Sequence, residues 1–231
     1  MNPLRLALVA LSLAARIAAG QATIVDEGSL TISRGGNRIG REDFSIRHVP
    51  TTAGAFETLT RGLVVLGPRR LTVDLSADSI GLPARFQSKT TGEGRTSETY
   101  RAEVVGRRLS ARSLRSSGES ARELLLPDAC LLVEDGVLHL LQFVVARRSG
   151  TVQAVVPARG VVVALTVEDA GADRVAIAFQ SIAARKFIVR EGGSSLVREV
   201  WTDALGRLLK VSIPSEQLLG VRDDAPRSPV R

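Results

Sequence analysis

Cysteine, histidine and aromatic residues are all scarce in this sequence, and each scarcity excludes a class of protein. Cys130 is the only cysteine among 231 residues, so no intramolecular disulfide can form. Its apolar neighbours in "PDACLLVED" predict a buried and chemically inert thiol. His48 and His139 are the only histidines, and no H-E-x-x-H, C-x-x-C or EF-hand pattern occurs, so we expect no metal site.

Motifs of catalysis are also missing. The "GGSSL" run at 192–196 lacks the G-x-S-x-G spacing of a nucleophile elbow and is typical of a turn. No glycine loop of the Walker or dinucleotide-binding type is present. We therefore predict a protein that is not an enzyme, with no catalytic residue and no cofactor.

The charge of the chain is basic and is carried mainly by arginine. It has 31 Lys and Arg against 24 Asp and Glu, a net charge of +7, while aromatic residues make up 3%. Because a nucleic-acid binder needs rings that stack on bases, we expect no nucleic-acid partner. The arginines crowded between Arg95 and Arg122 indicate either the solvent face of two or three strands or a surface that contacts anionic lipid. The second interpretation predicts an anionic membrane surface as partner, contacted by Arg107, Arg108, Arg112 and Arg115.

The opening residues, "MNPLRLALVALSLAARIAAGQATIV", have the layout of a secretory signal peptide. Arg5 supplies the positive start, and the apolar run from Leu6 to Ala15 is about half the ~20 residues that a membrane-spanning helix needs. We predict a signal peptide over residues 1–22, cleaved between Gly20 and Ala22, and a periplasmic or secreted protein. An uncleaved membrane anchor is the alternative.

Short β-rich runs separated by turns follow the leader, with a spacing of roughly 8–12 residues. The runs "TIVDEGSLTIS" and "RIGREDFSIRHV", joined by "RGGN", are typical of a hairpin. We predict a mainly β protein built as a strongly curved antiparallel sheet or unclosed β-barrel, in one domain over residues 23–220. The charged, proline-bearing end predicts a disordered tail over residues 221–231.

One segment, "EDGVLHLLQFVVARRSG", departs from this pattern. Its apolar residues cover nearly the whole circumference of a helix, so we predict one buried helix at about residues 136–148, wrapped by the sheet. A long buried strand is the alternative. His139 and Gln142 would form the polar seam of this helix. We expect them to contact an apolar or lipid ligand held between sheet and helix, with a satisfied core histidine as the competing interpretation of His139.

The only tryptophan lies just before a turn near the end of the chain, in "REVWTDALGRLLKVSIP". Asp203 opposite Arg207, with Gly206 at positive φ, predicts a hairpin in which Trp201 faces Leu209. Trp201 is then a core residue rather than a platform for a ligand.

The closing V-W-x-D-x-x-G-R-L-L hairpin resembles that of a family of exported bacterial proteins of unknown function. The first hairpin is also similar, with Gly40, Glu42 and Phe44 in its G-x-E-x-F-type strand. The resemblance covers residues 23–225 and implies an architecture similar to the periplasmic lipoprotein carriers, an unclosed barrel with a helix over an apolar hollow. It implies no catalytic residues.

Three functions remain open on the sequence alone. The first is a non-catalytic envelope protein of unknown function that binds an apolar or lipid ligand. The second is a structural or interaction protein with a filled core, and the third, least favoured, is a hydrolase. The volume of the hollow beneath the helix separates the first from the second.

Overall fold

The computed structural model describes residues 22–51, 54–93 and 97–227. Across them the backbone forms one sheet of 15 strands. The first half of the sheet is β1 (Thr23–Arg34), β2 (Asn37–Pro50), β3 (Phe56–Leu66), β4 (Arg69–Ala77), β5 (Pro83–Thr91), β6 (Glu98–Val105), β7 (Arg108–Arg115) and β8 (Gly118–Leu125). The second half is β9 (Leu131–Leu132), β10 (Gly150–Val156), β11 (Val161–Ile177), β12 (Gln180–Glu191), β13 (Val197–Thr202), β14 (Leu208–Ile213) and β15 (Leu218–Arg222). A helix, α1 (Leu141–Val145), lies between β9 and β10, and a short 3₁₀ turn, Pro214–Glu216, precedes β15.

The two edge strands of the sheet, β8 and β9, come from the middle of the chain. β1 and β15 pair antiparallel at the centre of the sheet, from Leu30↔Arg222 to Arg34↔Leu218. From this junction the strands run outward to β8 at one edge and β9 at the other, and β8 does not pair with β9, so the sheet is not closed into a barrel. The prediction of a mainly β, unclosed barrel-like sheet is therefore confirmed.

One main core lies against the inner face of the sheet. Leu30 of β1, Leu109 of β7 and Val189 of β12 belong to the same buried cluster, although they come from distant parts of the sheet. The segment between β9 and β10 also lies in this core, with Leu140 and Val144 fully buried. Because one sheet supplies the walls on all sides of that segment, the sheet must curve around it. Cys130 is buried as expected, and burial raises the pKa of its thiol to about 11.

The buried helix is shorter than predicted. Only Leu141–Val145 is α-helical, whereas the sequence predicts a helix over residues 136–148. The Glu42 carboxylate of β2 accepts the backbone N–H groups of Leu138 (2.8 Å) and His139 (2.9 Å), and Val137 bonds back to the Glu134 carbonyl in a tight turn. A carboxylate from a distant strand thus binds the N–H groups of two residues that precede the helix, and these residues lie in turns instead of extending the helix.

The predicted turn between β13 and β14 is confirmed. The Asp203 N–H donates to the Arg207 carbonyl at 3.0 Å, and Gly206 adopts φ +81°. The Asp203 carboxylate also accepts from the backbone N–H groups of Leu205 and Arg207 at 2.9 Å, which is how an aspartate stabilises a turn. Asp203 is therefore a turn former.

Trp201 is buried as predicted, but on the other face of the sheet. A bulge after it places Trp201 opposite Lys210 instead of Leu209, and its neighbour Val200 belongs to the main core. The indole Nε1–H donates to Asp173 at 2.7 Å, so the end of the β11–β12 hairpin folds over the outside of the sheet. The resulting outer cluster contains Trp201 and Leu209 with Val175, Ile177 and Ala184.

The predicted signal peptide lies almost entirely outside the described residues, and the predicted tail lies outside them only in part. The predicted signal peptide is represented only by Ala22, and β1 begins at Thr23. At the other end, β15 continues to the buried Arg222, so the predicted tail begins too early at residue 221. Asp223 is also in contact with β1, since it accepts from the Thr31 hydroxyl at 2.6 Å. Residues 228–231 lie outside the described residues.

Candidate ligand-binding cavity

A cavity of about 700 Å³ opens into the interior of the curved sheet, beside α1. Its floor is apolar and comes from both halves of the sheet and from the segment before α1. The floor residues include Ile32, Leu66, Leu138, Leu165, Ile213 and Leu218. This volume falls within the roughly 300–1,000 Å³ of ordinary small-molecule sites. We call it the apolar cavity.

Charged residues surround the mouth of the apolar cavity, and most of them are paired. Arg159 contacts Glu191 at 2.7 Å and Asp135 at 3.2 Å, and Arg198 contacts Glu191 at 3.1 Å. The hydrogen bond from Arg159 lowers the pKa of Glu191, so this buried carboxylate stays ionised. The rim is therefore a network of ion pairs that ties the β10–β11 turn to β12 and β13.

A second, smaller cavity of about 320 Å³ adjoins the first. The two share the lining residues Arg69, Glu134 and Ala158. The remaining lining comes from the inner face of β4, β5 and β6, and its members are Leu71, Ser88, Thr90, Glu98 and Tyr100. We call it the polar cavity.

The register of β4, β5 and β6 explains why this end of the interior is polar. Leu75, Phe86 and Ala102 lie side by side and are buried in the main core. One row further on the inner face, Ser88 pairs with Tyr100, and in the next row Thr90 pairs with Glu98. These residues share the inner face because strand side chains alternate with period two. The inner face thus changes from apolar to hydroxyl-bearing within two rows.

Two polar atoms in the polar cavity lack the partners that burial normally requires. Among the described residues, neither the Arg69 Nε nor the Tyr100 hydroxyl has a hydrogen-bond partner, although both atoms are buried. No carboxylate of the described residues lies within 4.0 Å of the Arg69 guanidinium. Burial raises the pKa of Tyr100, so its hydroxyl remains a donor. Unpaired buried donors are rare in native proteins and call for an explanation.

Glu134 lies where the two cavities meet. Its carboxyl accepts the backbone N–H groups of Asp135 (3.2 Å) and Ala158 (3.3 Å). Burial nevertheless raises its pKa to about 7, because the ionised form is poorly solvated there. Near neutral pH this carboxyl is therefore partly protonated.

The predicted ligand contacts His139 and Gln142 do not line these cavities. His139 is fully buried, and its Nδ1 lies 2.5 Å from Oε1 of the equally buried Glu42. Gln142 is buried in α1. Binding of a ligand by either residue stays a prediction, and the described geometry of His139 is that of a core residue held by a carboxylate.

His139 belongs to a row of stacked groups on the inner face. Phe44 of β2 pairs with Gly28 on one side and Gly62 on the other. The imidazole of His139 lies over Gly62 and is parallel to the Phe44 ring at 5.4 Å, and the Arg222 guanidinium lies over Gly28, also 5.4 Å from that ring. A Cβ at Gly62 would approach His139 Cε1 to 2.5 Å, so both glycines leave room that larger residues would fill.

Arg222 is itself paired, because its guanidinium donates to the buried Asp26 at 2.8 and 3.0 Å. It also donates to the Leu208 carbonyl at 3.1 Å. We call the five residues Asp26, Glu42, Phe44, His139 and Arg222 the packed cluster. Its charged groups meet partners at hydrogen-bonding distance, and only His139 Nε2 lacks one among the described residues.

The arginines predicted to contact an anionic surface lie on or next to β7 and are exposed. Each faces a carboxylate: Arg107 with Asp128 (3.3 Å), Arg108 with Glu123 (2.6 Å), Arg112 with Glu119 (3.5 Å) and Arg115 with Glu98 (2.8 Å). A hollow of about 670 Å³ follows β4 to β8; most of its lining residues are exposed, and half of them are charged. Contact with an anionic membrane stays a prediction, and Arg95 lies outside the described residues.

Neither metal binding nor a membrane-spanning helix is indicated by the described part of the chain. No group of three or more His, Cys, Asp or Glu side chains in residues 22–51, 54–93 and 97–227 is arranged to hold a metal ion. The same ranges contain no helix long and apolar enough to cross a bilayer.

The fold and these cavities define a barrel-like β protein with an interior that opens to solvent. No family model matches the chain, and no curated protein matches it. The chain is similar to the crystal structure of a β-barrel-like protein of the domain of unknown function DUF1849 from Brucella abortus. The TM-score is 0.55 over 88% of this chain and 95% of that chain, at 12% sequence identity. At this identity the likeness shows the fold alone. It agrees with a β-rich family of unknown function, while the hairpin motif and the similarity to lipoprotein carriers stay predictions.

Sequence reasoning missed the residues of both cavities. Arg69 stands in "GPRR", which is typical of a turn, and Glu134 follows the apolar run "CLLV". An acid at the end of an apolar run was the one available signal of a buried carboxyl. The residues that line the polar cavity with Arg69 are brought together by the register of three strands, and no local pattern reveals that register.

Proposed function

We propose that the protein is an exported, non-catalytic binding protein that holds an apolar ligand in the apolar cavity. The observation that carries the proposal is the cavity itself, about 700 Å³ with an apolar floor in the interior of the sheet. Close-packed protein interiors contain few voids larger than a water molecule, so a hollow of this size supports ligand binding over a purely structural function. The layout of the first residues supports export.

The apolar floor favours a ligand whose bulk is hydrocarbon. Leu66, Leu165 and Ile213 offer no hydrogen-bonding groups, so a polar ligand would lose its hydration there without compensation. Burial of apolar ligand surface contributes about 25 cal/mol per Å². An extended chain can lie along this floor while its end reaches the charged mouth.

Titration with Nile red, a neutral dye whose fluorescence rises in apolar surroundings, tests the proposal. We expect saturable binding by the native protein and displacement by methyl stearate. Leu196→Trp, in the cavity lining, should weaken binding at least about tenfold. Leu114→Trp, an exposed position on β7 outside the lining, is the matched control and should bind as the wild type does.

Both variants must first show the thermal unfolding and circular dichroism of the wild type. Absence of saturable dye binding, or equal binding by Leu196→Trp and Leu114→Trp, would contradict a ligand in this cavity. The structural or interaction function would then be favoured. Fractionation of cells that express the full chain tests export, with recovery in the periplasm or medium as the expected result.

A further inference from the structure

We propose that the ligand carries an anionic head group, which Arg69 and Tyr100 bind in the polar cavity while its hydrocarbon part lies in the apolar cavity. This inference rests on the proposed function and names the chemical class of the ligand. It follows from the position of the two cavities, which share Arg69, Glu134 and Ala158 as a common wall. An amphipathic molecule with one charged end fits that arrangement.

Arg69 differs from the other arginines at the mouth. Arg34 faces Glu216 at 3.6 Å, Arg159 faces two carboxylates, and Arg198 faces Glu191 through Nη2 although its buried Nη1 has no partner among the described residues. Arg69 has no carboxylate within that range among the described residues, and its buried Nε has no hydrogen-bond partner there. A guanidinium that its own protein leaves uncompensated is suited to bind a carboxylate or phosphate from outside.

The groups around Arg69 are mostly donors. Tyr100 offers a buried, unpaired hydroxyl, and Ser88 and Thr90 offer hydroxyls from the same wall. Glu98 also lines this cavity, but it already accepts from Ser113 at 2.6 Å and from Arg115 at 2.8 Å. The negative charge of Glu98 is therefore balanced by Arg115, and it repels an incoming anion less than an unpaired carboxylate would.

Glu134 is the remaining acid beside the site. Its raised pKa of about 7 means that it is not fully ionised near neutral pH, and a protonated carboxyl can donate to an anion. The charged groups that face it are Arg69 from β4, Arg159 from the β10–β11 turn and its neighbour Asp135. The net charge of the groups around an incoming anion is thus positive when Glu134 is protonated and neutral when it is ionised.

The test compares two probes that differ only in charge, an anthroyloxy-labelled stearate and its methyl ester. Wild-type protein should bind the carboxylate about tenfold more tightly than the ester, because a charge-assisted pair adds roughly that factor. Arg69→Gln should remove this difference between the two probes. Tyr100→Phe should reduce it, since one donor is lost without change of shape.

Arg34→Gln is the matched control, because it removes the same charge from the mouth but does not line the polar cavity. It should retain the preference for the carboxylate. Competition by stearate and by lysophosphatidic acid then distinguishes a carboxylate head from a phosphate head. Variants are compared only after their unfolding curves have been shown to match the wild type.

Equal binding of both probes by the wild type would overturn the anionic head group and leave the proposed function intact. The assignment to Arg69 would be overturned if Arg69→Gln kept the preference or if Arg34→Gln lost it equally. Binding of neither probe would overturn both the head group and the proposed function. Each outcome thus separates the class of ligand from the existence of a ligand.

Discussion

The packed cluster and the polar cavity both place charged groups inside the same curved sheet, but they differ in how many of those groups have a hydrogen-bonding partner. In the packed cluster, Glu42 accepts three donors, two from the backbone and one from His139, and Arg222 lies against Asp26. In the polar cavity, the Arg69 Nε and the Tyr100 hydroxyl are buried without partners among the described residues. Nearly complete pairing, with only His139 Nε2 left without a partner, indicates a structural role, whereas unpaired donors beside an open cavity indicate a place where something else binds.

The two regions also differ in how tightly they are filled. Gly28 and Gly62 flank Phe44 so that Arg222 and His139 can lie close to the sheet, and neither position has room for a Cβ. The polar cavity instead keeps about 320 Å³ next to its charged residues. The burial of a charged group therefore does not by itself identify a binding site. Empty space beside the buried group is also needed.

The largest effect that distinguishes the two regions should come from Glu42→Gln. An amide cannot accept all three donors that the carboxylate accepts, so unpaired groups would remain in the core. We expect a loss of about 3–5 kcal/mol in the free energy of unfolding, as for other broken buried pairs. Chemical denaturation measures it. Glu119→Gln, at an exposed ion pair, should change stability by less than about 1 kcal/mol, and equal midpoints for the two variants would contradict the comparison.

The second effect is the pH dependence that Glu134 confers. Its pKa is about 7 in the fold and 4.5 in the reference state, so the folded protein binds the proton more tightly. The fold therefore loses stability as pH rises from about 4.5 to 7, by about 3 kcal/mol. Glu134→Gln should lack this loss, so its stability relative to the wild type should rise between pH 5 and pH 8. Parallel pH profiles from denaturation curves would argue against a buried, poorly solvated carboxyl.

The smallest effect on stability should come from Arg69→Gln. The Arg69 guanidinium has no carboxylate partner among the described residues, so its removal breaks no ion pair within the part of the fold that is described. We expect a change of less than about 0.5 kcal/mol in the free energy of unfolding. A loss comparable with that of Glu42→Gln would show that Arg69 is structural and would remove the contrast between the regions.

Features that depend on neighbouring residues could be predicted from the sequence. The strands, the β13–β14 turn at Asp203 and the buried thiol of Cys130 each follow from a short stretch of chain. The length of α1 could not be predicted, because Glu42, which holds the N–H groups of Leu138 and His139, is about a hundred residues away. The face of Trp201 depends on a single bulge, and the polar cavity depends on the register of three strands.

The pairing of β1 with β15 has a consequence for how the protein is made. Leu30 and Arg222 are adjacent in the sheet although nearly the whole described chain separates them. β1 is the first strand in chain order and β15 the last, so one edge of β1 stays unpaired until β15 joins it, and such edges recruit other strands. β15 supplies both the pairing edge for β1 and Arg222, the partner of Asp26. Completion of the sheet and neutralisation of that buried carboxylate thus depend on the same strand.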